Sequence, residues 1–331
     1  MEKLFERLAG IVWGVPAMVL LLTVGVLATI TTRAVQVRRL GASLRLVGKS
    51  AGKKGEGVSS FQAVCTALAA TVGTGNVAGV AGAVALGGPG AVFWMWVSAF
   101  LGMATKYVEV VLSLRYRRRG EDGQWLGGPM YYMESGLGWK HAAKLFAFFA
   151  LLGSFGMGNL AQIHTISSSV TNAAQEYRPA WQSWHVALIT GALAAAIVAV
   201  VTLGGAKRIG SVMEKLVPIM AAMYILGALA VIFAHWRRLP GVFTEIFQEA
   251  FTPRAAIGGG MGAAIRWGVS RGIFSNEAGL GSAPIAHASA EAAPEQQGLF
   301  GIFEVFLDTV VLCTLTALAI VVSGVEISWG R

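Results

Sequence analysis

A short polar, glycine-rich stretch interrupts a long apolar segment of this chain. Residues Thr71–Asn76 read Thr-Val-Gly-Thr-Gly-Asn and lie inside the largely apolar run Ser60–Leu86. Within a lipid bilayer, backbone that leaves the helix exposes N–H and C=O groups that hydrocarbon cannot satisfy, so such a break survives only where it is buried in protein or lines a cavity. The sequence therefore predicts a broken helix beside a binding site.

A second interruption occurs much later in the chain. The stretch Gly272–Gly281 reads Gly-Ile-Phe-Ser-Asn-Glu-Ala-Gly-Leu-Gly. Two broken apolar segments in corresponding positions of two halves indicate the binding site of a secondary transporter. Because intramembrane charge is costly, we expect Arg271 and Glu277 to face a cavity or each other. A plain loop between two shorter helices is the alternative, but it leaves only Ala255–Trp267 before the loop, which is too short to span.

The composition is that of a membrane protein. Hydrophobic residues make up 55% and charged residues 13% of the 331 residues, and the mean hydropathy is +0.63; an ordinary soluble domain carries about 25% charged residues. Runs of about 20 apolar residues are long enough to span a bilayer. The sequence contains eight such runs: Ile11–Thr32, Ser60–Leu86, Ala91–Leu114, Ala142–Val170, Trp184–Leu203, Val212–Ala234, Ala255–Ala290 (interrupted) and Gln297–Gly324. The first is too long for a signal-peptide core and is expected to be retained.

The positive charges indicate how the helices are oriented. The net charge of +9 is concentrated in short loops rather than on a surface for nucleic acid, so we expect no nucleic-acid partner. With alternating spans, the loops after the first, third and fifth runs carry 16 Lys and Arg, and the other side carries seven. The richer side is cytoplasmic by the positive-inside rule. This predicts a multi-pass protein of the cell (plasma or inner) membrane whose N-terminus lies outside.

The predicted orientation gives the two broken helices opposite directions. The second run enters from the cytoplasm and the seventh from outside, as an inverted repeat requires. We therefore predict one all-α membrane transport domain over residues 1–331. Its parts are an N-terminal helix with a basic cytoplasmic loop (1–58), a first five-helix repeat (59–235) and an incomplete second repeat (255–331).

The first break offers groups for both an ion and a carboxylate. Released carbonyls near Ala69–Val72 suit a cation, the N–H groups of Thr74 and Gly75 at the start of a half-helix suit a carboxylate, and Asn76 adds a side-chain oxygen. Close helix packing through the small residues Gly75 and Gly79 is the alternative. A dinucleotide-binding loop requires a soluble strand–loop–helix unit, which this apolar context excludes.

Several isolated polar residues lie within the other apolar runs. Gln162 suits either a substrate amino group or an interhelical hydrogen bond. Lys106 and Glu109, three residues apart on one helix, are expected to neutralise each other. Asp308 and Thr309 form a buried polar pair, for ion coupling or for structural bonding. Cys65 and Cys313 are expected to be small packing residues, and no catalytic or zinc constellation is present, so we expect no enzyme.

These motifs resemble the alanine or glycine:cation symporter family, also called sodium:alanine symporters. The matching strings cover most of the chain from about residue 60 onward and are Ala69–Gly82 (AATVGTGNVAGVAG), Gly87–Trp96 (GGPGAVFWMW), Gly102–Val110 (GMATKYVEV), Gly127–Tyr132 (GGPMYY), Gly205–Ile209 (GAKRI) and Gly272–Ala288 (GIFSNEAGLGSAPIAHA). The Gly-x-Gly-Asn break also resembles that of the wider leucine-transporter-like superfamily. This likeness implies a five-plus-five inverted repeat with one extra N-terminal helix, in which the second and seventh helices are broken.

The resemblance also implies which residues bind. Thr71 and Asn76 would meet one sodium ion, and the carbonyls of Ala69 and Val72 another. The substrate would meet the residues Gly73, Thr74, Gly75, Asn76, Gln162, Phe274, Ser275 and Asn276. Sodium is the coupling ion that the resemblance implies, with a proton as the alternative.

The resemblance implies about eleven helices, whereas eight are read here. The last three would then be missing, and we expect a truncated member of the family. The function expected is sodium-coupled uptake of a small neutral amino acid, alanine or glycine in the L or D form, by alternating access within membrane lipid. Two alternatives stay open: a truncated membrane fragment that does not transport, and a channel whose breaks form a filter.

Overall fold

The fold is described from a computed structural model. The structure describes residues 10, 12–52, 57–121, 123–178, 181–251 and 262–325. Within these ranges the chain is helical apart from turns and one hairpin of two-residue strands. Residues 255–261 of the interrupted seventh run lie outside the described ranges, as do residues 326–331 of the expected incomplete repeat.

Helices of very different lengths make up the fold. In chain order they are α1 (Val15–Thr31), α2 (Val35–Arg38), α3 (Leu40–Ser50), α4 (Ser60–Thr71), α5 (Val80–Gly87), α6 (Gly90–Arg115), α7 (Pro129–Leu137), α8 (Lys140–Phe155), α9 (Ala161–Tyr177), α10 (Ser183–Thr202), α11 (Gly205–Ala234), α12 (Leu239–Ala250), α13 (Ala263–Asn276), α14 (Ser282–Ala288), α15 (Pro294–Val305) and α16 (Thr314–Ser323). The hairpin pairs β1 (Arg118–Arg119) with β2 (Trp125–Leu126) in antiparallel register.

Wider helical turns connect several of these helices. A π-helical turn at Gly75–Gly79 leads into α5, one at Gly156–Leu160 joins α8 to α9, and a longer one at Phe306–Cys313 joins α15 to α16. A 3₁₀ turn at Trp236–Arg238 precedes α12. Because π-turns frequently occur at functional sites, the turns at Gly75–Gly79 and Phe306–Cys313 indicate where to look for one.

Helix α6 forms the centre of the described fold. It packs against α1, α12, α13, α14 and α15. Gly268 and Gly272 of α13 lie one turn apart and face it: a Cβ at Gly268 would lie 2.7 Å from the Cβ of Trp94, and one at Gly272 would overlap the hydroxyl of Ser98. Small residues at this spacing let two membrane helices approach closely. Gly272 therefore serves packing and does not start a break.

The second break is shorter than the sequence predicted. Helix α13 continues through Asn276, and the N–H of Glu277 still donates to the carbonyl of Ile273 (2.9 Å). The turn begins at Glu277, which is left-handed (φ +53°), and includes Gly279 (φ +89°) and Gly281 (φ +80°). The prediction that helix was already lost at Gly272 is wrong, because glycine there reflects a close helix contact.

The structure confirms an all-α membrane fold in its main features. Among the described residues, four helices are long and apolar enough to cross a membrane, or five if the bent pair Ser60–Thr71 and Gly75–Gly87 counts as one span. The pair bends by 50° at the predicted first break. The predicted total of eight spanning helices is not confirmed.

Candidate functional site

A cavity of about 460 Å³ opens beside the first break. Helices α4, α9, α10, α11 and α13 contribute to its wall. Seven of the residues that the sequence selected line it: Ala69, Thr71, Thr74, Gly75, Gln162, Phe274 and Ser275. The other lining residues are Thr66, Ala70, Asn159, Thr202, Ile209, Met213 and Glu277. The structure thus brings residues from distant parts of the sequence to one cavity.

The broken helix leaves backbone groups without helical partners beside this cavity. Helix α4 begins with a capping box, in which the Ser59 hydroxyl accepts the N–H of Gln62 (3.1 Å) and the Gln62 side chain accepts the N–H of Ser59 (3.0 Å). It ends at Thr71, and Val72 is extended (ψ 99°). The last carbonyls of α4 and the first N–H groups after the break have no partner within a helix. Acceptors for a cation and donors for an anion therefore lie side by side.

Asn76 lies behind the cavity wall and holds the break together. It is 2% exposed. Its Oδ1 accepts the N–H of Gly73 (2.9 Å), and its Nδ2 donates to Oδ1 of Asp308 (2.7 Å) and to the hydroxyl of Ser275 (3.2 Å). Val72 is likewise buried and outside the lining. In this arrangement the oxygen expected to meet a cation is already bonded to Gly73.

Asp308 completes this polar cluster, and the sequence analysis did not place it among the site residues. It is fully buried in the π-turn after α15. Its Oδ2 accepts hydroxyl hydrogen bonds from Ser275 (2.8 Å) and Thr309 (2.8 Å). These partners and Asn76 are neutral, so the carboxylate has no salt-bridge partner among the described residues. The sequence feature that could have identified Asp308 is a carboxylic acid beside a threonine within the apolar run Gln297–Gly324.

Asn276 does not reach the cavity, although it follows Ser275 directly. It is 1% exposed; its Nδ2 donates to the Thr309 hydroxyl (3.2 Å) and its Oδ1 accepts the N–H of Ala278 (3.0 Å). The placement of Asn276 beside the substrate is therefore not supported. Successive residues of a helix point about 100° apart, so Ser275 faces the break and Asn276 closes the turn that follows.

Glycines let the broken segment approach its neighbours. A Cβ at Gly75 would lie 3.3 Å from the Cα of Ser275, so only glycine fits there without a shift. A Cβ at Gly73 would lie 3.9 Å from the side-chain amide of Gln162, so Gly73 and Gln162 are neighbours but a Cβ would fit between them. Gln162 faces the cavity, which favours its substrate interpretation over purely interhelical bonding.

Phe274 lies between this cavity and a second one. The second cavity, of about 580 Å³, lies between α1 and α13 and is lined by Trp13, Trp267, Arg271 and Phe274 among others. Arg271 and Glu277 thus face different cavities, which confirms the expectation that each would face a cavity or the other. The Arg271 guanidinium lies 5.4 Å from the Trp267 ring centre and 5.9 Å from that of Phe274.

Lys106 does not form its salt bridge with Glu109. Its Nζ contacts Oε1 of Glu304 on α15 (3.2 Å), while Glu109 accepts the N–H of Gly279 (3.1 Å). The spacing of three residues along α6 puts Lys106 and Glu109 on one face, but the partner helix offers Lys106 a closer carboxylate. Lys106 and Glu109 therefore interact electrostatically, as expected, but the salt bridge of Lys106 is with Glu304.

The cysteines are buried and free. Cys65 packs in a core cluster with Leu68, Val72 and Phe300. Cys313 contacts the polar cluster, with its sulfur 3.4 Å from both the Asn76 amide and the Ser275 hydroxyl. Within the described ranges no group of three His, Cys, Asp or Glu residues is arranged to hold a metal ion.

Known proteins with similar sequences identify the family of this chain. The family model of the sodium:alanine symporter family matches residues 1–329. A Haemophilus influenzae protein named "Uncharacterized transporter" and the sodium/alanine symporter AgcS of Methanococcus maripaludis are each 44% identical to this chain. A Bacillus subtilis protein named "Probable sodium/glutamine symporter GlnT" is 42% identical.

These matches extend along nearly the whole chain. Each covers 98% of it, and they cover 70%, 71% and 67% of the respective relatives. The expectation of a truncated member is not borne out, because the matches leave almost none of this chain uncovered. The family name implies sodium coupling, and the relatives are transporters rather than enzymes. Both the family model and these relatives show that the chain belongs to the sodium:alanine symporter family.

Proposed function

We propose that this protein couples the entry of sodium to the uptake of a small neutral amino acid, alanine or glycine, into the cell. The observation that carries the proposal is the break between α4 and α5, which opens directly onto a cavity shared with α13. The cavity holds both cation-binding and anion-binding backbone groups, as an amino acid and a co-transported cation require. No finding favours the alternative of a fragment that does not transport.

The substrate carboxylate binds at the start of the second half-helix. The N–H groups of Thr74 and Gly75 have no helical partner there, and the N-terminal end of a helix favours negative charge. Gln162 and Ser275 face the same cavity and supply polar contacts, and Phe274 supplies an apolar wall. Gly73 and Asn76 support the break from behind.

Sodium binds on the other side of the break. The Thr71 hydroxyl and the Asn76 side-chain oxygen are the proposed ligands of one sodium ion, and the carbonyls of Ala69 and Val72 are those of another. Hard oxygen ligands suit such a cation. Asp308 bonds to Asn76, so its carboxyl group lies close to this site and, when ionised, favours a cation there. A proton is the alternative coupling ion.

The proposed fold is the leucine-transporter-like five-plus-five repeat with an additional N-terminal helix. The parts are residues 1–58, 59–235 and 255–331, with the N-terminus outside and the protein in the cell (plasma or inner) membrane. The two breaks, at Val72–Thr74 and Glu277–Gly281, approach each other at the contact between Gly75 and Ser275. That approach supports a central site between two repeats.

Transport proceeds by alternating access. Phe274 separates the central cavity from the one beside Arg271, so a shift of this ring changes which space the site opens to. Sodium binding draws the Asn76 oxygen away from the N–H of Gly73 and orders the break, and the amino acid then completes the site. Each ligand shifts the equilibrium by its preference for one state.

The test is uptake of labelled alanine by the protein reconstituted in lipid vesicles. An inward sodium gradient should drive accumulation, and collapse of the gradient with a sodium ionophore should abolish it. Competition by unlabelled glycine, the D-enantiomers and glutamine then ranks the substrates. Accumulation that is unaffected by the loss of the gradient would refute sodium coupling.

The same vesicles distinguish a transporter from a channel. A symporter gives saturable counterflow, in which unlabelled alanine inside accelerates entry of the label. A channel gives unitary currents in planar bilayers and no counterflow. Currents without counterflow would overturn the proposed mechanism.

A further inference from the structure

Two arginines of α13 line the cavity between α1 and α13. They are Arg266 and Arg271, and none of the described residues that line this cavity is acidic. The other lining side chains are apolar, aromatic or neutral, and they include Trp13, Trp267 and Ser270. The cavity has a volume of about 580 Å³. Its lining therefore carries an excess of positive charge.

Arg271 lacks a counter-charge within the described part of the chain. Its Nε is buried and has no hydrogen-bond partner. No carboxylate of a described residue lies within salt-bridge distance of its guanidinium. The group lies beside two aromatic rings, with centres 5.4 Å (Trp267) and 5.9 Å (Phe274) away, and such rings attract a cation less strongly than an anion does. Arginines within membrane-spanning helices pair with a counter-charge or mark a substrate or ion pathway.

The donors in this cavity suit a carboxylate. A guanidinium is a planar fork whose N–H groups match the two oxygens of a carboxylate. Ser270 precedes Arg271 and lines the same cavity. Its Oγ accepts Nε1–H of Trp13 (3.2 Å), so the Ser270 hydroxyl can direct its own hydrogen to an anion. The rings of Trp267 and Phe274 provide apolar walls for a short aliphatic group.

The same lining offers no side chain that suits an ammonium group. Among the described residues that line the cavity there is neither a carboxylate nor an amide. The central cavity differs, because Glu277, Gln162 and Asn159 line it. The cavity between α1 and α13 is therefore suited to a carboxylate whether or not the molecule also carries an amino group.

The cavity lies on the side of the fold where α1 begins. Trp13 contacts Ser270, and farther along the chain a Cβ at Gly279 would lie 2.5 Å from Cδ2 of Leu21, so the two segments run side by side in the same direction. Phe274 lies three residues beyond Arg271 toward the second break and lines both cavities. The proposed topology places the start of α1 outside the cell, so Arg271 lies on the outer side of Phe274.

We propose that the cavity between α1 and α13 binds a small organic carboxylate through Arg271. In transport this carboxylate belongs to the amino acid, which is held there before it passes Phe274 into the central cavity; this step rests on the proposed function. Arg266 is exposed near the start of α13, and its charge draws anions toward the cavity. The arriving carboxylate supplies the counter-charge that Arg271 lacks.

The test is nitrogen NMR of the full chain labelled at arginine and held in nanodiscs of neutral lipid. The side-chain signals that are missing from the Arg271→Lys variant identify Arg271. Propionate should shift these signals saturably, because it presents a carboxylate without the amino group of an amino acid. Chloride at the same concentrations should not shift them. No shift with propionate, or an equal shift with chloride, would overturn the proposal.

Further ligands show which chemical group the site recognises. Alanine should shift the Arg271 signals as propionate does, whereas alaninamide, in which an amide replaces the carboxylate, should not. A shift with alanine but not with propionate would show that the signals report the central cavity, and the proposal would be wrong. Nanodiscs that contain anionic lipid test the other source of an anion. Signals that shift there and no longer respond to propionate would assign the site to a lipid headgroup instead.

Calorimetry of propionate binding tests Arg271 as the ligand. Arg271→Lys loses the planar fork and should weaken binding about tenfold or more, and Arg271→Gln should abolish it. Arg237→Gln is the matched control, because Arg237 also lies beside an indole (6.0 Å from the Trp236 ring centre) but is exposed and does not line this cavity. Wild-type affinity in Arg271→Gln would exclude Arg271. Should the Arg271 variants fail to fold, the absence of saturable propionate binding to the wild type would still refute the site.

Uptake measurements separate this proposal from the transport proposal. If both hold, Arg271→Gln should raise the alanine concentration for half-maximal uptake about tenfold, with a smaller change in the maximal rate, because the central cavity keeps its other residues. Propionate binding without alanine uptake would retain the carboxylate site and refute the transport proposal. Sodium-driven uptake without propionate binding would refute the carboxylate site alone.

Discussion

At the first break, the hydrogen-bond partners of a residue determine its role more than its place in the sequence motif does. Asn76 is the clearest case. The motif Gly-Thr-Gly-Asn selected it as a ligand, and the structure shows an amide whose nitrogen is held by Asp308 and Ser275. These two hydrogen bonds fix the orientation of the amide, so its oxygen points at the N–H of Gly73. A cation that binds the Asn76 oxygen therefore has to displace this hydrogen bond from the N–H of Gly73.

Replacing Asn76 with alanine tests this arrangement. Asn76→Ala removes the oxygen and leaves Asp308 with one fewer donor. We expect the sodium concentration for half-maximal alanine uptake to rise on the order of tenfold or more, because a hydrogen bond to a charged group contributes about 1.5–3 kcal/mol. Uptake measured across a sodium series gives this concentration.

A matched control is available on an exposed helix face. Asn172 lies on α9 and is exposed, so Asn172→Ala should leave the sodium dependence unchanged. An Asn76→Ala protein with the half-saturating sodium concentration of the wild type would remove Asn76 from the ligand set.

At the scale of elements, glycines decide how closely the helices and breaks approach. Gly75 brings the broken segment against Ser275, and Gly268 and Gly272 bring α13 against α6. The sequence interpretation treated Gly75 and Gly272 as parts of breaks, with close packing as the alternative for Gly75, and it did not single out Gly268. A break and a close helix contact both favour glycine. A residue without a side chain gives the backbone conformational freedom and also leaves room for a neighbouring helix.

Two glycines of the same broken helix give a direct comparison. Gly75→Ala places a Cβ 3.3 Å from the Cα of Ser275, whereas a Cβ at Gly82 meets nothing within 4 Å. We expect Gly75→Ala to destabilise the fold by about 1–3 kcal/mol, and Gly82→Ala to be neutral or to stabilise it by up to about 1 kcal/mol. Thermal unfolding in detergent measures both.

The comparison also tests the functional claim. Gly75→Ala should weaken alanine uptake more than its loss of stability explains, because Gly75 lines the cavity. Equal melting temperatures and equal uptake for the two variants would show that the approach of Gly75 to Ser275 is not tight.

At the scale of the whole molecule, burial and lipid exposure divide the helices into two groups. The central helix α6 is 61% buried over its most apolar window, whereas α10 is 6% buried over its own. Large apolar residues such as Leu188, Leu193 and Ile197 of α10 are therefore free to contact lipid. Hydrophobicity identifies both helices as membrane-spanning, but it does not distinguish the core helix from the peripheral one.

The orientation of the molecule is testable across α11. Arg208 lies in the first turn of this helix of 30 residues, Arg237 lies in the 3₁₀ turn that follows its other end, and both are exposed. If the N-terminus is outside, Arg208→Cys is cytoplasmic and Arg237→Cys is external. In intact cells a membrane-impermeant maleimide should label Arg237→Cys at once, and Arg208→Cys only after permeabilisation.

The native chain controls this experiment, because Cys65 and Cys313 are buried and should not react. Labelling of Arg208→Cys in intact cells, with protection of Arg237→Cys, would reverse the proposed topology. The charge distribution over the loops would then not follow the positive-inside rule.

The sequence by itself determined that this chain is a helical membrane protein with a helix broken at Thr71–Asn76. Those conclusions depend on apolar length and on the cost of unpaired backbone in lipid, which are properties of consecutive residues. The tertiary structure decided which side chains meet. Lys106 pairs with Glu304 instead of Glu109, Asp308 joins Asn76, and Ser275 rather than Asn276 faces the cavity. Such contacts depend on the rotation and approach of separate helices, which no local pattern specifies.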